Sequence, residues 1–282
     1  MLKITSRDNQ KLRQARSVRD GSSGENLIFV EGLRLAEEAV RSGLEIETIF
    51  AVENFAQNER AKRFLEIAAA KKSIAFFEVA ESVFRSLADT KNSQGVVLIA
   101  RRPKTGSEKI EAALARAVET RISSLVVLLH QINNPSNLGA ILRTAEAAGV
   151  VAGVIATESS ADAFSPKSLR GSMGAAFRLP LWTRANFAEV LRWARRFYLI
   201  SVAADVQAEK SYLEIDWSKP RLLVFGSEAH GLSAAKAAEI NENLKVPMEN
   251  AVESLNVAVS CGVILFEAKR QINEKRKTEN GK

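Results

Sequence analysis

The sequence predicts an α/β protein in two parts: a larger domain built on a mostly parallel sheet in the second half, and a smaller α/β domain before it. Three observations carry this. Apolar runs without polar alternation, such as Leu125–Leu129 and the stretch from Leu222 to Phe225, have the pattern of strands buried on both faces. Helical spacing of apolar residues follows several of them. Between run and helix stand Gly, Pro and small polar residues, as where open α/β sheets present loops to a ligand at strand carboxyl ends.

In chain order, the first twenty residues set Lys3, Arg7, Lys11, Arg13, Arg16 and Arg19 against Asp8 and Asp20. This basic amphipathic start could lie along RNA phosphates, although composition alone makes a solvated helix face the commoner outcome. Strand candidates follow at Leu27 to Val30, Ile46 to Val52, Ile74 to Val79 and Val96 to Ala100, alternating with helical stretches from Arg34 to Arg41 and Asn58 to Ala70. The run Arg101-Arg102-Pro103-Lys104-Thr105-Gly106-Ser107 combines charge, proline and glycine after an apolar strand and reads as a boundary. The expected organisation is a first domain over 1–102, a linker with the first helix of the next domain over 103–120, a second domain over 121–273, and a charged tail over 274–282 expected to fray. Strands of the second domain are expected near Leu125, Val150, Tyr198, Leu222 and Leu244.

Composition bounds the function. The 282 residues are 46% hydrophobic, enough for two cores. A net charge of +7 favours a polyanionic partner without proving one. One Cys and two His lack any ligand spacing, so no metal site and no disulfide framework are expected. Cys261 reads as a small core residue, and His130 and His230 as satisfied strand-end and loop residues more readily than substrate contacts. The sequence has neither a long apolar span nor a hydrophobic stretch behind the amino-terminal charges, so the expectation is a cytoplasmic protein with no membrane partner.

Three loops of the second domain hold the candidate site. The first, Asn133-Asn134-Pro135-Ser136-Asn137-Leu138-Gly139, opens a helix on which Leu138, Ile141, Leu142 and Ala145 recur, with Gly149 as its stop. Arg143 lies off that apolar stripe; a solvated arginine and a functional one fit equally. The second, Gly226-Ser227-Glu228-Ala229-His230-Gly231, has glycines suited to close backbone approach or positive φ, and a carboxylate that a helix start would also explain. The third, Val246-Pro247-Met248, precedes Ser254-Leu255-Asn256-Val257. Ser254 is expected to cap a largely apolar helix destined for burial or a subunit interface, and Asn256 to sit inside its first turn, where its amide needs other partners.

These residues resemble the signature motifs of the SpoU, or TrmH, family of RNA ribose 2′-O-methyltransferases in the SPOUT superfamily. The first loop is similar to N-P-x-N-x-G-A-x-x-R-T-A, the second to G-x-E-x-x-G, and the third to I-P-M followed by S-L-N-V; Ser165-Pro166-Lys167 and Arg170 to Phe177 also resemble a family segment. Upstream, Phe29-Val30-Glu31-Gly32 and Ser93-Gln94-Gly95-Val96 look like the L30e-like RNA-binding domain that often precedes the catalytic one. Ala229 and Glu249-Asn250 depart from the pattern where glycine is frequent.

The resemblance implies a trefoil knot near the carboxyl end and an S-adenosylmethionine site held largely by main-chain groups of Gly226, Ser227, Glu228, Gly231, Val246, Pro247, Met248, Ser254, Leu255 and Asn256. It implies catalytic roles for Arg143, Asn137, Glu228, Ser254 and Asn256, with Arg143 contacting the acceptor nucleotide. A guanidinium keeps its proton, so a clamp on a phosphate or ribose oxygen is the preferred role over a general base. It further implies a homodimer acting on RNA, ribosomal RNA ahead of transfer RNA. Two other readings stand beside it. A non-catalytic RNA-binding protein of the same fold fits the loop departures, and a dinucleotide oxidoreductase lacks the GxGxxG loop and its ribose-binding acid.

Overall fold

The computed structural model describes residues 2–22, 26–70, 74–119 and 125–280. In chain order its elements are β1 (Leu2–Ile4), α1 (Gln10–Arg19), β2 (Leu27–Glu31), α2 (Leu33–Arg41), β3 (Ile46–Val52), α3 (Glu59–Ala69), β4 (Ala75–Val79), α4 (Glu81–Leu87), β5 (Val96–Arg101), α5 (Ser107–Glu119) and β6 (Leu125–Leu129). There follow α6 (Pro135–Ala148), β7 (Val151–Thr157), α7 (Pro166–Ser172), α8 (Ala175–Arg178), β8 (Leu181–Ala185), α9 (Phe187–Arg196), β9 (Ile200–Ala204), β10 (Arg221–Phe225), α10 (Ala234–Ala237), β11 (Glu242–Leu244) and α11 (Val257–Asn280). They form two compact units, one of Met1–Lys104 with Phe164–Arg178, the other of Thr105–Ala163 with Leu179–Lys282. The start of the expected second domain at 121–124 lies outside the described residues.

The first unit holds a five-stranded sheet in the order β1-β4-β3-β5-β2, parallel from β1 to β3 and antiparallel at β5 and β2. Leu12, Ala15 and Val18 of α1 bury beside Phe29, Phe50, Val79 and Val97. The opposite face of α1 corrects the reading of the basic start as a phosphate track. Arg19 Nη1 donates to the carbonyls of Ser86, Leu87 and Ala88 at 3.1, 3.1 and 3.2 Å, filling the orphan acceptors at the end of α4. Arg16 donates to Ser86 Oγ and the Arg7 carbonyl, Arg7 donates to the Ser82 carbonyl, and Lys3 pairs with Glu53 at 2.7 Å. Four of the six cations thus hold the unit together, leaving Lys11 and Arg13 solvated.

Residues Phe164–Arg178 pack with this unit although they fall within the stretch expected for the second domain. Arg170 Nη1 lies 2.7 Å from Asp89 Oδ2 and 3.7 Å from Glu31 Oε2, and Arg178 pairs with Glu38. Glu31 is buried; its carboxylate accepts from the Asp89 and Thr90 N–H groups and from the Thr90 hydroxyl. A polar group taken from water needs such partners.

The second unit carries a six-stranded sheet in the order β11-β9-β10-β6-β7-β8, every pairing parallel. Its central strands β6, β7 and β10 are apolar and buried on both faces, as an all-parallel sheet covered by helices demands. The one charge at its centre, Arg221 at the start of β10, is buried and met by Glu242 on β11 at 2.5 Å, which holds the Glu242 carboxyl below its ordinary range. Helix α11 packs against α6, burying Cys261, Ile264, Leu265 and Ala268 while leaving Val259 and Phe266 about half exposed. The tail does not fray from 274: α11 runs to Asn280, supported by the Arg270–Glu274 pair at i,i+4.

Candidate active site

Loops leaving the carboxyl ends of β6 and β10 and the segment before α11 meet in the second unit. Strands β6 and β10 are direct neighbours in register, Leu129 opposite Phe225, so the loops that follow them emerge side by side. The first becomes α6 immediately: Pro135 stands in its first turn and the Asn134 side chain accepts from Ser136 N–H at 2.9 Å as N-cap. Gly149 is the C-cap, as its position predicts.

In the second loop Gly226 is irreplaceable, because a Cβ there would lie 2.3 Å from the Gly231 carbonyl carbon. Ser227 and Gly231 exchange both backbone hydrogen bonds, at 3.0 and 2.8 Å, and Gly231 takes φ +63°. This tight fold aims Glu228 back at the first loop.

Both oxygens of the Glu228 carboxylate are engaged there. Oε2 accepts from the N–H groups of Asn133 and Asn134 at 3.0 and 3.3 Å, and Oε1 from Asn137 Nδ2 at 2.5 Å. Asn137 Oδ1 in turn accepts from Asn256 Nδ2 at 3.1 Å, and Asn256 Oδ1 accepts from Ala258 N–H at 2.9 Å. One chain of hydrogen bonds therefore runs from the second loop through α6 to the start of α11, with each amide's orientation dictated by its neighbours. Three of the five residues expected to act together are in it: Asn137, Glu228 and Asn256.

The other two are not. Ser254 is exposed and makes no cap, and α11 starts at Val257 with Asn256 in the capping place, its carbonyl receiving Ser260 N–H. Asn256 thus stands just before the helix, not two residues inside it, and one half of its amide does the capping expected of Ser254. Arg143 is exposed on α6, six residues beyond Asn137 and so about 9 Å further along the axis. Among the described residues it has neither an ion-pair nor a hydrogen-bond partner.

The third loop keeps its main chain open. Between Val246 and Leu255 only Val252 N–H finds a backbone acceptor among the described residues, the Glu249 carbonyl at 3.4 Å. Asn250 and Ala251 both take left-handed backbone, φ +57° and +56°, a conformation in which a Cβ is strained.

His130, at the end of β6, is buried with Nδ1 3.1 Å from Thr157 Oγ1 and its ring against Phe187. Burial, and then the Lys236 charge, push its pKa below the ordinary 6.5, so the ring is neutral at neutral pH. It is a packed strand-end residue; His230 is exposed. Cys261 is buried in α11 and burial pushes its thiol up to about 12. Sequence reading also passed over a cavity of about 770 Å³ in the first unit, between the start of α2, Phe55, Gln94 and Arg170. The positive φ of Gly32 and Gln94 shapes its wall, a signal the residue types alone do not give.

With this geometry the comparisons with known proteins agree. The family described as SpoU rRNA Methylase matches residues 124–266, and the MRM3-like substrate binding domain matches residues 8–98. An uncharacterized tRNA/rRNA methyltransferase of Synechocystis is 31% identical over 272 residues, 95% of this chain and 93% of that protein. The 23S rRNA (guanosine(2553)-2'-O)-methyltransferase RlmP of Bacillus subtilis is 29% identical over 94% of this chain and 98% of its own. Among solved structures, an RNA 2'-O ribose methyltransferase matches with TM-score 0.77 and 32% identity, over 96% of this chain and 99% of that one. An AdoMet-bound rRNA methyltransferase from Sinorhizobium meliloti matches with TM-score 0.77 and 28% identity, over 95% and 97%. The chain belongs to the SpoU rRNA methylase family.

Proposed function

We propose that this protein transfers the methyl group of S-adenosylmethionine to a ribose 2′-hydroxyl of ribosomal RNA, in the cytoplasm and as a homodimer. The observation that carries the reading is the hydrogen-bonded chain Glu228–Asn137–Asn256, which locks three loops at one end of a parallel sheet. The donor set suits the cofactor: apart from the Val252–Glu249 bond, the main-chain groups from Val246 to Leu255 have no backbone partner among the described residues, and the polar groups of an adenosyl-amino acid need such donors and acceptors. In this reading Gly226, Ser227, Glu228, Gly231, Val246, Pro247, Met248, Ser254, Leu255 and Asn256 enclose it. When bound, the cofactor supplies an electrophilic methyl carbon on a sulfonium.

The chain's own contribution is alignment and exclusion of water. Glu228 accepts from three donors of the first loop and so positions the loops. Asn137 and Asn256 transmit that positioning to α6 and α11. Arg143 clamps a phosphate or ribose oxygen of the acceptor nucleotide. The exposed apolar residues Val252, Leu255, Val259 and Phe266 support a second copy docking along α11. The reading includes a trefoil knot near the carboxyl end of the domain. Relatives that act on 23S rRNA favour ribosomal over transfer RNA.

The test incubates the protein with labelled S-adenosylmethionine and unmodified ribosomal or transfer RNA. Label is expected on ribosomal RNA at alkali-resistant ribose positions. Arg143→Ala should remove most turnover with cofactor affinity nearly intact, measured by calorimetric titration. Cofactor affinity lost in step with activity would contradict the clamp. Label entering transfer RNA alone would reassign the substrate.

A further inference from the structure

Helix α9 ends in a way that costs stability. Phe197 is its C-cap, Tyr198 N–H donates to the Arg195 carbonyl at 3.1 Å, and Leu199 N–H reaches back to the Ala194 carbonyl at 3.0 Å. This helix ending places one residue in left-handed backbone, and glycine is its usual occupant. Here the occupant is Tyr198, at φ +54°. A side chain with a Cβ is strained there. Burial does not offset the cost, since Tyr198 is 85% exposed and its ring stacks on no other described aromatic.

The helix end that carries it is cationic. Arg195 and Arg196 stand in the last turn of α9 and Arg192 one turn earlier, all exposed. Among the described residues none of the three has a carboxylate within ion-pair distance. Glu189, one turn earlier, pairs with none of them, and Lys219, next to the Pro220 carbonyl that receives Ile200 N–H, is already paired with Asp216. Arg19, Arg60, Arg178, Arg221 and Arg270, by contrast, are all neutralised by acids. The helix dipole accounts for arginines at a carboxyl end. It does not account for a strained, solvated tyrosine in glycine's place.

We infer that Tyr198 with Arg192, Arg195 and Arg196 is a second RNA contact, a platform on which an unpaired base stacks while the guanidiniums hold the adjoining phosphates. Unpaired RNA bases are recognised by stacking on aromatic rings beside basic side chains, and a ring held out in solvent by a fixed backbone is preorganised for it. The platform sits at the amino end of β9, whereas the methyl-transfer loops leave the carboxyl ends of β6 and β10. It therefore grips a segment of RNA apart from the nucleotide being methylated, and sets which folded RNA is accepted. The inference rests on RNA being the substrate.

The experiment uses the full chain, a 23S rRNA transcript in filter binding, and thermal melting. Tyr198→Gly is expected to raise the melting temperature by relieving the backbone while weakening rRNA affinity about tenfold. Tyr198→Phe should match the original protein in both, because stacking does not use the hydroxyl. Replacing Arg192, Arg195 and Arg196 with Gln should flatten the salt dependence of rRNA binding. S-adenosylmethionine affinity should stay constant throughout. A glycine variant that melts higher yet binds rRNA as before overturns the platform and leaves the proposed function standing. Failure of the original protein to bind or methylate any ribosomal RNA overturns the proposed function itself.

Discussion

Asn256 has two duties that one substitution can separate. Its Oδ1 caps α11 through Ala258 N–H at 2.9 Å, and its Nδ2 donates to Asn137 Oδ1 at 3.1 Å. Asn256→Ala removes both. Loss of an N-cap costs about 1 kcal/mol. The bond to Asn137 is solvent-exposed and adds about 0.5 kcal/mol at most, because water replaces it. The sum corresponds to a fall in melting temperature of roughly 3–6 °C for a domain of this size. Asn256→Asp keeps the acceptor, and its charge suits the amino end of a helix, so the cap and the melting temperature should survive. The carboxylate cannot donate to Asn137 Oδ1, however, so the link between α11 and the Glu228–Asn137 pair is cut. S-adenosylmethionine affinity, measured by calorimetry, should therefore fall in both variants, while melting temperature falls clearly with Ala and by no more than about 1–2 °C with Asp. Equal melting losses in Ala and Asp would refute the capping assignment, and undiminished cofactor affinity in both would remove Asn256 from the site.

Three further outcomes follow from the geometry. Ala251→Gly relieves left-handed backbone at φ +56° and should stabilise the protein by about 1 kcal/mol in urea denaturation, a value that falls to zero if the loop adopts another conformation. Arg19→Ala uncaps α4 by removing donors to three carbonyls and should destabilise by about 2 kcal/mol; a neutral outcome would return Arg19 to the pool of cations free for RNA. Cys261, with its thiol pushed up to about 12 by burial, should resist iodoacetamide at pH 8 in the native protein and react once urea unfolds it, whereas native labelling would place it at an open surface.

The central strands were legible because burial on both faces leaves an unbroken apolar run, as in Leu125–Leu129. Two of the four edge strands, β1 and β8, were not. β1 exposes Leu2 and Lys3, and β8 mixes Leu181 and Ala185 with exposed Arg184, so neither carries the two-sided signal. The start of α11 was read early because Ser254 and Leu255 continue a cap-then-apolar pattern, while the capping bond is made by the next polar residue. Charge at the amino terminus was visible in the sequence, but its acceptors on α4 lie 67 to 69 residues away and no periodicity reports them. Likewise, spacing alone could mark Asn137, Glu228 and Asn256 as polar loop residues, and only the motif resemblance grouped them. That Arg143 stands outside their bonded chain required coordinates.

The Asn137–Asn256 bond joins positions 119 residues apart, and β10 reaches β6 across most of that interval. Contacts of such separation form late, after the entropy of closing long loops has been met. With the donor site proposed above, a nascent chain emerging from the ribosome carries no grip for the methyl donor until the beginning of α11 has appeared and settled. Donor binding can then serve as a stopwatch for completed folding.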